Sequence, residues 1–157
     1  MKALHTYLMI PAIAFSLIGC GGGEEAATES TTSAEPMEIY TPEPEASPFG
    51  IGPVTAEVEL GELDEALAAE GEEVFTQLCT ACHKMDKRHV GPELAGVLDR
   101  RNAAWVMNMI LNPDVMVKED PVAKELFAEY LSPMANQNLT EHQARAIVEY
   151  IRKYNAQ

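Results

Sequence analysis

The sequence predicts an all-α fold, and three observations carry that prediction. Beyond residue 63 the apolar side chains recur at three- and four-residue spacing, the period of a helix with one buried face. Capping residues and prolines stand where those periodic stretches begin and end. No stretch alternates apolar and polar residues convincingly between hairpin-type turns, so nothing reads as a strand.

The first helix spans residues 64–80. Leu67, Gly71, Val74, Phe75 and Leu78 mark its apolar face, and Asp64 is its N-cap. The second spans 103–111 and is apolar on nearly every side, with Trp105, Val106, Met107, Met109 and Ile110, so it must be buried. It stops at Asn112-Pro113, because proline pushes the residue before it out of the helical region. The third opens with Asp120 as N-cap and Pro121 at the first helical position. It presents Val122, Leu126, Phe127, Tyr130 and Leu131 on one face, and ends at Ser132-Pro133. The last begins with Thr140, and Gln143 three positions on completes a capping box; its apolar face is Ala144, Ile147, Val148 and Ile151.

Ahead of the helices the composition changes. Residues 1–19 read as an export signal, with Lys2 and His5 before an apolar run too short to span a bilayer comfortably. The run ends in Leu17-Ile18-Gly19-Cys20, which resembles a bacterial lipobox, so Cys20 is expected to be acylated and to become the mature N-terminus. The plainer alternative, secretion with Cys20 as a free thiol, leaves an odd exported cysteine unexplained. Residues 20–57 read as an acidic tether rich in Gly, Ser, Thr, Pro and Glu, and residues 58–157 as one folded domain. Residues 20–63 carry ten acidic side chains and no basic one, whereas 64–157 carry fifteen against ten. The acidity is thus mostly a property of the tether, and nucleic acid is excluded as a partner.

The chemistry lies in Cys79-Thr80-Ala81-Cys82-His83. With Cys20 assigned to lipid, two cysteines remain, so a four-cysteine zinc site is impossible. A thioredoxin-like dithiol needs a strand-to-helix setting, which this chain does not offer. The form C-x-x-C-H is a c-type haem attachment site: both thiols add to the porphyrin vinyl groups, and the adjacent imidazole is brought under the iron.

With that motif in place, residues 61–157 resemble a class I, mitochondrial-type, cytochrome c. Gly71 and Phe75 stand eight and four residues before Cys79, as in that family, and Ile147 and Tyr150 match the family's C-terminal helix, which crosses the first. Gly91, Pro92 and Leu94 match its Gly-Pro-x-Leu motif. The resemblance implies one covalent haem c held by Cys79, Cys82 and His83, with the Pro92 carbonyl accepting the His83 ring N–H and Leu94 packing on the haem. It places Arg100 near a haem propionate and makes Met134 the second iron ligand beside His83, since Met134 follows Pro133 and lies six residues before Thr140.

Two departures bear on the haem face opposite His83. The segment 115–131 is longer than the family's loop and holds an extra helix, which makes Met116 a competitor for the iron. Trp105 has no secure counterpart in the family. A propionate contact is one reading for it, and a core aromatic whose N–H finds some acceptor is the plainer one. Met85, Met107 and Met109 are read as core filler.

The resemblance implies an electron carrier and not an enzyme, because a His/Met-ligated iron has no open position for substrate. It implies a quinol-oxidising complex as donor and a haem-copper oxidase or periplasmic reductase as acceptor, at the extracytoplasmic face of a bacterial membrane to which the lipid anchors the domain. The alternatives are a haem sensor or peroxidase-like enzyme with a dissociable distal ligand, and a fixed cytochrome subunit of a larger complex.

Overall fold

The structure is a computed structural model that describes residues 47–157. The export signal, Cys20 and the tether up to residue 46 lie outside the described residues. Six helices follow one another: α1 (Glu65–Leu78), α2 (Val97–Arg100), α3 (Ala103–Leu111), α4 (Pro113–Glu119), α5 (Pro121–Tyr130) and α6 (Glu141–Asn155). Among the described residues there is no strand, so the expected all-α class holds.

The caps explain the boundaries. Asp64 accepts the Ala66 and Leu67 N–H groups at 3.0 and 2.9 Å, satisfying donors that the first turn of α1 leaves free. Thr140 and Gln143 form the reciprocal capping box that starts α6. α1 and α6 then cross at Gly71. A Cβ on that residue would lie 2.0 Å from the Ala146 carbonyl oxygen, so only glycine permits the approach. Phe75 and Tyr150 close the crossing with ring centroids 5.3 Å apart.

α3 is buried along almost its whole length and packs against α6. Two short helices escaped the sequence reading. α2 is a single turn entered through Gly96 in the left-handed region, too short to show a period. α4 begins at Pro113, where a stop was expected. Asn112 ends α3 and also starts α4, with the proline at the first helical position, where its missing N–H costs nothing. α5 ends at Tyr130, with Leu131 in the left-handed region at φ 51° and 80% exposed, so Leu131 leaves the buried face assigned to it.

The domain boundary moves as well. Residues 47–57, read as the end of the tether, lie on the folded body. Val54 is buried, its N–H donates to Asn108 Oδ1 at 3.0 Å, and Asn108 Nδ2 donates to the Phe49 and Val54 carbonyls at 2.8 Å each. One buried amide thus takes the place of a sheet partner for this strap. Phe49 and Ile51 of the strap also pack against the core beside Val54. Further on, the Glu59, Leu60 and Gly61 carbonyls accept from Arg145 and Arg152, and both arginines converge on the fully buried Glu149 carboxylate. Among the described residues no helix is long and apolar enough to cross a membrane.

Candidate functional site

The site grows from the C-terminal end of α1. Cys79 caps that helix through its N–H to the Phe75 carbonyl at 2.9 Å, and the chain keeps turning. The N–H groups of Cys82 and His83 both point back to the Cys79 carbonyl, at 3.1 and 2.9 Å. This extra turn brings two thiols and an imidazole onto one cavity.

The following loop folds back on that turn. Gly91 N–H donates to the Cys82 carbonyl at 2.9 Å, Leu94 N–H to Lys84 at 3.1 Å and Ala95 N–H to Met85 at 2.8 Å. The pairing sets the Pro92 carbonyl oxygen 3.0 Å from His83 Nδ1. A carbonyl only accepts, so Nδ1 carries a proton, and in the neutral ring the lone pair is then on Nε2. Gly91 lies flat against the ring, since a Cβ there would stand 2.5 Å from His83 Cε1. The imidazole is therefore fixed both in tautomer and in plane before it meets any partner.

The cavity measures about 610 Å³, a size typical of cofactor pockets, and its walls include Leu94, Ile110, Leu126, Ile147 and Ile151. Eight of the residues singled out from the sequence line it: Cys79, Cys82 and His83 from the attachment turn, Pro92 and Leu94 from the folded-back loop, Arg100 from α2, Trp105 from α3, and Met134 from the segment between α5 and α6. Burial, with Cys82 adding its charge, pushes the Cys79 thiol up to about 11.

The two candidate methionines part company here. Met134 lines the cavity. Met116 is not among the lining residues. It is fully buried, its sulfur accepts the Ile51 N–H at 3.0 Å, and it packs so closely on Gly50 that a Cβ on that glycine would lie 2.7 Å from the methionine's methyl carbon. Met116 holds the strap.

Trp105 offers the cavity its ring. Its indole N–H donates to Asp120 Oδ1 at 3.2 Å, and the same oxygen accepts the Ala123 N–H at 2.9 Å at the start of α5. The indole N–H thus finds its acceptor within the protein, which is the plainer of the two readings given for Trp105. Arg100 is exposed at the cavity, with its guanidinium donating to the Ala95 and Glu93 carbonyls at 3.2 and 3.4 Å, so α2 and the folded-back loop hold it in place. Of its five N–H donors, others remain for an acidic group.

Sequence reasoning missed Asp120 as a partner of Trp105, having used it only as a cap. It also missed Arg88 and Tyr130, which line the cavity. Nothing local in the sequence pairs Arg88 with a helix 41 residues away.

Two thiols three residues apart, an imidazole whose Nδ1 is held by a carbonyl, and a thioether share one mostly apolar cavity, and this donor set fits a covalently attached haem. A c-type haem site inside an all-helical fold is the class these features define. The chain belongs to the cytochrome c family, whose sequence pattern matches residues 68–155. A cytochrome c2 of Rhodopseudomonas palustris is 59% identical over 34 residues, which are 22% of this chain and 29% of that protein. The chain thus matches less than a third of the length of that curated relative. A solved cytochrome c from Rhodothermus marinus is 44% identical with a TM-score of 0.64, covering 67% of this chain and 90% of that one. An engineered cytochrome c from Rhodothermus marinus is 42% identical with a TM-score of 0.65, over 68% of this chain and 92% of that one.

Proposed function

We propose that this protein is a one-electron carrier of a respiratory chain, tethered to a membrane through an acylated Cys20. The observation that supports the carrier reading is that His83 and Met134 both line one mostly apolar cavity, while the Met116 sulfur accepts the Ile51 N–H outside it. Bound there, haem c supplies an iron that gains and loses one electron.

The chain's own residues do the rest. Cys79 and Cys82 hold the group covalently. His83 offers Nε2, steadied by the Pro92 carbonyl and the Gly91 backbone. Leu94 would pack against the group, and Arg100, which keeps N–H donors beyond those given to Ala95 and Glu93, would suit one of its carboxylates. Met134 would supply the iron with a second ligand beside His83, and an iron held in that way suits a carrier and not an enzyme.

The donor is a quinol-oxidising complex and the acceptor a haem-copper oxidase or a periplasmic reductase. The place of action is the extracytoplasmic face of a bacterial membrane. The test is carbon monoxide at neutral pH. A carrier with a closed iron resists it in the reduced state. Rapid, stoichiometric binding would overturn the carrier reading in favour of a haem sensor or a peroxidase-like enzyme.

A further inference from the structure

One guanidinium joins the two segments that bear His83 and Met134. Arg88 Nη1 donates to Glu129 Oε1 at 2.9 Å, Arg88 Nη2 donates to the Glu129 backbone carbonyl at 3.2 Å, and the guanidinium carbon stands 4.1 Å from the centre of the Tyr130 ring. Arg88 follows His83 by five residues, and Tyr130 precedes Met134 by four. Both line the cavity. These contacts therefore tie the attachment loop to the last turn of α5.

That last turn needs holding. Leu131 follows it in the left-handed region at φ 51°, a conformation that a branched L-residue adopts at a cost. Its side chain is 80% exposed, so its own packing contributes little to keeping that geometry. Ser132, Pro133 and Met134 come next, and all line the cavity.

We infer that Arg88 is a latch: it positions the Met134 segment through Glu129 and Tyr130, and so controls how readily the thioether leaves the iron. The inference rests on Met134 as the iron ligand. The Arg88 and Glu129 side chains are 56% and 55% exposed, and exposed contacts of either kind are each worth less than a factor of about ten. The latch thus sets a rate of opening and not the fold.

The test uses the ferric holoprotein and imidazole, a neutral ligand that replaces a departing thioether. Arg88→Met is expected to raise the rate of imidazole binding roughly three- to tenfold while the denaturation midpoint stays where it was. Glu129→Gln, which keeps the backbone carbonyl and the Tyr130 ring in place, is expected to give a smaller rise in the same direction. Lys87→Met removes the same charge one residue away and is expected to leave the rate unchanged. Arg88→Met within twofold of the wild type, or an equal rise in Lys87→Met, would overturn the latch. Absence of the long-wavelength sulfur-to-iron band in the wild-type protein would instead remove Met134 as ligand, and the latch with it.

Discussion

The α-carbon of Gly71 sits so close to α6 that a methyl group on it would meet the Ala146 carbonyl oxygen at 2.0 Å, with the Ala146 carbonyl carbon and the Ile147 nitrogen at 2.4 and 2.9 Å. All three are backbone atoms inside a helix, so none can swing aside. Gly71→Ala must then separate α1 from α6 and loosen the wall of the cavity. Overpacking of this kind costs about 3 kcal/mol. Chemical denaturation of the holoprotein is expected to show that loss, with Gly71→Val worse still. A Gly71→Ala protein as stable as the wild type would mean the helices cross differently.

Asn108 carries the second prediction. Its side chain satisfies the Val54 N–H and the Phe49 and Val54 carbonyls, all on the strap. Asn108→Ala leaves one buried donor and two acceptors to find water, for a loss of about 2 to 4 kcal/mol. Proteolysis of the folded variant should then begin within residues 47–57, ahead of any cut in α1. Wild-type resistance in that stretch would show that the strap is held by something other than Asn108.

The first and last helices were legible in the sequence from their caps and a 3.6-residue period, and their crossing at Gly71 was an expectation drawn from the family resemblance. The attachment site was legible because its spacing is short. What could not be read depended on partners far apart in the chain. Glu149 sits on α6 where a charged residue reads as solvent-facing, yet it is fully buried. Arg145 and Arg152, a turn to either side, neutralise it while they also hold the carbonyls of residues 59–61. Met116 and Met134 looked alike in sequence, each following a proline closely. They differ because the strap, whose packing the composition concealed, takes up the sulfur of Met116.

Cys20 lies outside the described residues, and the membrane attachment proposed for it has its own test. Cys20→Ser is expected to move the protein, still red, from the membrane fraction to the soluble one. Among the described residues no helix is long and apolar enough to cross a bilayer. Each buried methylene of an acyl chain adds about 0.8 kcal/mol of membrane affinity, so losing the chains removes the anchor outright. Retention of the variant in membranes after salt and carbonate washing would show a different attachment.

The central claim is that His83 and Met134 together close the iron, and one measurement addresses it most directly: the absorption spectrum of the ferric protein after Met134→Ala, with Met116→Ala beside it. Loss of the weak long-wavelength sulfur-to-iron band in Met134→Ala, together with a lower reduction potential and carbon monoxide binding in the reduced state, is the expected result. Met116→Ala is expected to keep the band and lose stability instead, about 2 to 5 kcal/mol for emptying a buried methionine site. Survival of the band in Met134→Ala, with its loss in Met116→Ala, would contradict the account.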